Sequence, residues 1–344
     1  MILLYKFNVK ISILILMKGR PFSPTEIIFA ATNACNLHCE HCFIERNPHK
    51  LEIAAAVALI ESCVNAGSGI DRVGFSGGEP FLYMDFLIEV SKAVVANDLM
   101  FDQIMTNGDW WKDETDLRET LHKLYDAGYD GKIGLSWDRY HGQSTERMET
   151  FIRTVQEIFG EDSINIQTVD TVVEPVETTA DGEDDSKTTL SARFLTNHQS
   201  YKVSIRPSDY STTGDIHVYH LPRTYTSDDP RAWQASRWFR EDYCEGPGHI
   251  LYVHADGNIA PCCGFANENP ALFIGRITDS YEKIMQNAAA NPMVKICYEE
   301  GLSHYRRHGI KKTLYSQGKK LPGKCSDVCS FCDYVCRLSG QARQ

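Results

Sequence analysis

The stretch Cys-Asn-Leu-His-Cys-Glu-His-Cys, from Cys35 to Cys42, constrains this chain more than any other. Cys35, Cys39 and Cys42 put three thiolates within reach of one compact metal centre, fewer than the four that close a complete iron–sulfur cluster site. A cubane held here keeps one iron without a protein ligand, and an open coordination position is where metal sites do chemistry. The same residues also admit zinc, with His38 or His41 completing a Cys₃His set. A strand-like run, Glu26–Thr32, precedes the loop.

A second motif, Val73–Pro80 (VGFSGGEP), follows another strand-like run. Its adjacent glycines, Gly77 and Gly78, remove side chains where the backbone approaches a ligand closely, and Glu79 places a carboxylate beside them. Read alone, the motif is a turn ahead of a helix. CxxxCxxC followed one βα unit later by GGEP resembles the radical S-adenosylmethionine (SAM) family. That resemblance implies a SAM-binding [4Fe–4S] cluster on Cys35, Cys39 and Cys42. It also implies that Glu79 accepts from the amino group of SAM.

With 344 residues, 42% hydrophobic and 24% charged, the chain reads as an ordinary globular protein with room for one large α/β domain and a smaller appendage. A net charge of −11 argues against a nucleic-acid partner. Twelve cysteines interleaved with βα pattern point to metal in a reducing cytoplasm rather than to a secreted disulfide framework. The apolar start, residues 1–20, is too short and too interrupted by Lys6, Asn8 and Lys10 to span a bilayer, and no cleavage pattern follows it. No membrane association is expected.

From Thr25 onward short apolar runs alternate with helical pattern. Strands are expected at Glu26–Thr32, Arg72–Ser76, Phe101–Thr106, Lys132–Trp137, Ile164–Val169 and Val203–Arg206. Helices are expected at Leu51–Ala66, Met84–Asn97, Glu114–Ala127 and Thr145–Phe159, the last two closed by Gly128 and Gly160. Repeated βα units imply a parallel sheet with right-handed crossovers. The fold class is therefore α/β, a partial (β/α)₆ barrel, with chemistry at the strand C-termini. The family resemblance makes Asn107 after strand three, and Ser136 and Asp138 after strand four, contacts of the SAM ribose and carboxylate. It sets His41 near the adenine and Arg206 near the carboxylate. As isolated residues these are equally caps, turn formers or a surface arginine.

The chain divides into residues 21–215, carrying the barrel, and residues 216–344. Between strands five and six, Glu161–Asp185 holds nine carboxylates and no Lys or Arg. The part from about 172 to 187 reads as a flexible insertion.

The C-terminal part centres on Ile250–Pro261, a β-hairpin with Asp256-Gly257 as its two-residue turn. Cys244 and Cys262 flank that turn in the pattern that opens SPASM and twitch extensions of peptide-modifying radical SAM enzymes. Cys325, Cys329, Cys332 and Cys336 close the chain with x₃, x₂, x₃ spacing, which departs from the full SPASM pattern. The resemblance implies one auxiliary [4Fe–4S] cluster on Cys244, Cys262, Cys329 and Cys332, with Cys325 and Cys336 spare. A structural zinc knot fits the same spacing.

Cys262 and Cys263 are adjacent, and neighbours in a strand point to opposite faces, so a ligand at Cys262 turns Cys263 away. The hairpin, the Pro-Cys-Cys step and Leu135–His141 (LSWDRYH) resemble radical SAM peptide epimerases. In that resemblance Cys263 is the hydrogen-atom donor that inverts an α-carbon. The expected substrate is a precursor peptide and the expected electron source a flavodoxin or ferredoxin. A SPASM-type oxidation or cross-link, and a non-catalytic iron–sulfur relative, are the rival readings.

Overall fold

Four βα repeats and a fifth parallel strand set the architecture. In this computed structural model the described residues are 19–138, 140–169, 191–192, 200–205, 214–221, 223–316 and 318–341. The apolar start to residue 18, the acidic insertion and Arg206 lie outside them. The chain forms two units, each described by itself: one comprises Glu26–Arg223 with Val253–Gly257, the other Thr224–Tyr252 and Asn258–Gln344 with the residues before Glu26.

The first unit runs β1 (Glu26–Ala30), α1 (Ile53–Asn65), β2 (Arg72–Ser76), α2 (Met84–Ala96), β3 (Met100–Thr106), α3 (Glu114–Asp126), β4 (Lys132–Ser136), α4 (Thr145–Phe159) and β5 (Ile164–Thr168). Strands β1 to β5 pair in order and in parallel, with Phe29 opposite Phe75 and Thr106 opposite Leu135. Their alternate residues are buried: Ile27, Phe29, Val73, Phe75, Ile104, Ile133 and Leu135 are at most 1% exposed. Each such side chain contributes about 1.5–3 kcal/mol. Helix α4 turns Met148, Phe151, Ile152 and Val155 inward, the i, i+3, i+4, i+7 stripe of an amphipathic helix. Its N-cap Ser144 accepts from the Arg147 N–H, as Asp113 caps α3 through the Asp116 N–H.

The sixth parallel strand differs from the expectation. The expected strand Val203–Arg206 falls in Ser200–Ile205 (β7, after the short β6, Ser191–Ala192), which pairs antiparallel with Gly214–His220 (β8). It is β8 that lies parallel beside β5. Its sequence, GDIHVYH, sets the apolar Ile216 and Val218 two residues apart. Ile216 and Val218 are at most 2% exposed and Tyr219 is 43% exposed. An open six-stranded parallel (β/α) sheet results, with β6 and β7 as an antiparallel extension.

The second unit contains the expected hairpin, β9 (Gly248–Val253) and β10 (Asn258–Cys262), with β11 (Gly275–Arg276) antiparallel to β10. Helices α5 (Tyr281–Ala290) and α6 (Val328–Gln341) flank a π-helical turn at Ile296–Glu300. Among the described residues no helix is long and apolar enough to cross a membrane.

Candidate active site

The C-terminal ends of β1 to β5 and β8 enclose a pocket of about 280 Å³. Cys35, Cys39 and Cys42 line it with His41, Gly77, Gly78, Asn107 and Ser136, so residues from four successive strand ends meet there. Ligand sites at the carboxyl ends of parallel strands follow from the topology.

The two glycines earn their place against the chain's own backbone. Gly77 has φ +132°, and a Cβ there would meet the Thr32 carbonyl at 2.4 Å. A Cβ on Gly78 would meet the Ala34 carbonyl at 2.3 Å. Relieved of both, the turn donates Gly78 N–H to Thr32 O at 2.7 Å and Glu79 N–H to Ala34 O at 2.8 Å. The GGE turn thus fixes the backbone immediately before Cys35.

Glu79 is fully buried and is not on the pocket wall. Its Oε1 accepts from Thr106 Oγ1 at 2.8 Å and from Phe81 N–H at 3.2 Å, and its Oε2 accepts from Asn107 N–H at 2.8 Å. Burial pushes its carboxyl up to about 7, against the pull of those donors. These bonds make the Glu79 carboxylate a brace between the ends of β2 and β3.

Asn107 continues that frame, its amide donating to Asn36 Oδ1 at 2.9 Å and to the Cys35 sulfur at 3.7 Å. Gln143 donates to Ser136 O at 3.1 Å and also to Asn107 O, tying β3 to β4.

Asp138 is also turned inward. Its carboxylate lies 2.8 Å from His141 Nδ1 and accepts from Tyr140 N–H at 2.9 Å. Burial disfavours charge on His141, but Asp138 and the Cys39 sulfur, which the same ring hydrogen-bonds, raise it to about 9. Burial acts to raise Asp138, yet the His141 bond holds it below the usual carboxylate range. His41 packs edge-on against Tyr140 and His141, with centroids 5.1 Å away in both cases, and burial lowers its pKa. Arg223 donates to Tyr140 Oη at 2.6 Å and reaches Glu40 in the cysteine loop at 3.3 Å. Sequence reasoning singled out neither His141 nor Arg223. The Asp-x-x-His spacing in LSWDRYH was the available signal for His141.

In the second unit Cys244, Cys262, Cys329 and Cys332 line one pocket whose wall is apolar apart from sulfur. A fifth liner, Cys297, carries no sequence motif. Cys325 is fully buried outside that wall, with its Sγ 2.9 Å from Asp327 O. Cys262 is 6% exposed whereas Cys263 is exposed, the alternation expected of a strand end. The Cys263 Sγ lies 3.7 Å from Pro247 O.

The donor chemistry fits two iron–sulfur clusters. Among the described residues, the group of three His, Cys, Asp or Glu side chains whose ligand atoms lie within 4.8 Å of one another is His41, Asp138 and His141. Cys35, Cys39 and Cys42 would offer a four-iron cluster three thiolates at the first pocket, and Cys244, Cys262, Cys329 and Cys332 would offer four at the second.

Comparison with known proteins places residues 30–157 in the Radical SAM superfamily. The chain is 21% identical over 312 residues to "Putative peptide biosynthesis protein YydG" of Bacillus subtilis (strain 168), covering 87% of this chain and 88% of that protein. It is 35% identical over 114 residues to the GTP 3',8-cyclase of Chlorobaculum tepidum, covering 32% of this chain and 31% of that enzyme. The crystal structure of BtrN in complex with AdoMet and 2-DOIA shares the fold, with a TM-score of 0.50 at 14% identity over 90% of this chain and 95% of that one.

Proposed function

The chain carries a radical SAM domain, and from that premise we propose that it modifies a peptide by radical chemistry. The observation that carries this reading is the meeting of Cys35, Cys39 and Cys42 with Gly77 and Gly78 around one pocket. There the three cysteines would hold a [4Fe–4S] cluster, with Gly77, Gly78, Asn107 and Ser136 forming the wall against SAM. Reduced and loaded, that group supplies the electron that splits SAM to methionine and a 5′-deoxyadenosyl radical, the species that removes a substrate hydrogen. The remaining work belongs to the chain. Glu79 and Asn107 keep the strand ends in register, and the Asp138–His141 pair holds the Cys39 side of the loop.

A peptide is the proposed substrate because similarity to the "Putative peptide biosynthesis protein YydG" runs through most of both chains. Cys244, Cys262, Cys329 and Cys332 would hold the auxiliary [4Fe–4S] cluster. An external one-electron carrier such as flavodoxin or ferredoxin would supply reducing equivalents.

Within that class, L-to-D epimerisation is the reading we favour, with Cys263 as hydrogen-atom donor. Its thiol is exposed while Cys262 is buried, so the sulfur nearest the proposed ligand set by sequence is open to a substrate. Delivery of a hydrogen atom from Cys263 to an α-carbon radical leaves a sulfur radical that one electron and one proton restore. The test is incubation with a candidate precursor peptide in D₂O. One deuterium should enter per inverted centre, and Cys263→Ala should keep all iron, still cleave SAM and make no D-residue. A product two hydrogens lighter than its substrate would instead mark an oxidase or cross-linker.

A further inference from the structure

The cysteine pocket of the second unit holds one thiol more than a cubane can use. Five cysteines line it, and a four-iron cluster takes four thiolates. The sulfurs of Cys297 and Cys332 are 3.7 Å apart, and both residues are buried. Ligands of one cubane leave from different corners, so two sulfurs in direct contact cannot both be ligands. One of the pair must donate to the other.

Position decides which. Cys332 sits three residues after Cys329 on helix α6, so both face one side of that helix. Cys297 lies instead in the π-helical turn Ile296–Glu300, a departure from regular helix of the kind often found at functional sites. That turn is anchored to the loop before β9 and to β10: the Cys297 carbonyl accepts from Cys244 N–H at 3.0 Å, and Tyr298 Oη donates to Pro261 O at 2.7 Å, next to Cys262. Cys297 is therefore held rigidly with its sulfur against Cys332.

We propose that Cys297 is a positioning residue that donates an S–H···S hydrogen bond to the ligating sulfur of Cys332 and so raises the reduction potential of the auxiliary cluster. The inference rests on the auxiliary cluster proposed above. Hydrogen bonds to cluster sulfurs favour the more negative, reduced state and are among the determinants of cluster potential.

The test uses full-length, anaerobically reconstituted protein: iron and sulfide counts with an EPR-monitored redox titration on wild type, Cys297→Ala and Cys297→Ser. Both variants should hold as much iron as wild type. Cys297→Ala should lower the auxiliary midpoint by enough to change the reduced-to-oxidised ratio about tenfold, which is 59 mV for one electron. Cys297→Ser, which keeps a donor, should stay nearer wild type. Loss of the auxiliary irons from Cys297→Ala would make Cys297 a ligand and overturn the proposal, as would an unchanged midpoint. Wild type that holds only one cluster would overturn the auxiliary-cluster reading itself, a distinguishable result.

Discussion

Glu79 and Asn107, twenty-eight residues apart, are joined by a buried hydrogen bond of 2.8 Å from the Asn107 N–H to Glu79 Oε2. It ties the turn after β2 to the turn after β3, and the residues just before Cys35 lie against Gly77 and Gly78 of the same turn.

Glu79→Gln tests that coupling. Whichever way the amide is turned, its NH₂ must face a backbone N–H, of Asn107 or of Phe81. A buried donor left without an acceptor costs about 1–3 kcal/mol. Denaturation of the apo-protein should show a loss of that size, accompanied by weaker SAM binding after reconstitution. Unchanged stability would mean that the brace carries no weight.

Asp138→Asn removes the charge that favours a protonated His141 while keeping an acceptor for Tyr140 N–H. Substitution of residues that orient metal ligands typically costs about 10–100-fold in metal affinity or activity. The rate of 5′-deoxyadenosine formation should fall within that range with iron content near wild type. A rate equal to wild type would show that His141 does not act on Cys39.

Glu26 opens β1, and its carboxyl is pushed up to about 8, first by burial and then by the neighbouring Asp102 charge. Because the folded value lies above the unfolded one, the unfolded state ionises first as pH rises. Stability is therefore lost between about pH 4.5 and pH 8. Glu26→Gln should flatten that loss, so thermal melts at pH 5 and pH 8.5 should differ less than in wild type. An equal difference in both proteins would remove Glu26 as the cause.

Much of this fold was legible because the βα units carry their signals locally. Arg72–Ser76 and Thr145–Phe159 run from the residue expected to the residue expected, the helix ending at Gly160 with φ +100°. The sixth parallel strand was not legible, since GDIHVYH reads as a polar stretch until β5 is beside it. At the site, motif spacing delivered Cys35, Cys39 and Cys42 to one pocket but carried no information on side-chain direction. Hence the spacing did not show that Glu79 is hydrogen-bonded to Asn107 and Asp138 to His141. Cys297 had no signature because its partners are distant in sequence, Cys332 lying thirty-five residues on.

The central claim is that Cys35, Cys39 and Cys42 hold the cluster that cleaves SAM. It is tested most directly by replacing all three with Ala, reconstituting anaerobically with iron and sulfide, and measuring bound iron and 5′-deoxyadenosine after reduction with SAM present. Wild type should bind about eight irons and the variant about four, as expected if one of two four-iron clusters is lost. The variant should form no 5′-deoxyadenosine. A variant that keeps all its iron, or that still cleaves SAM, would contradict the account.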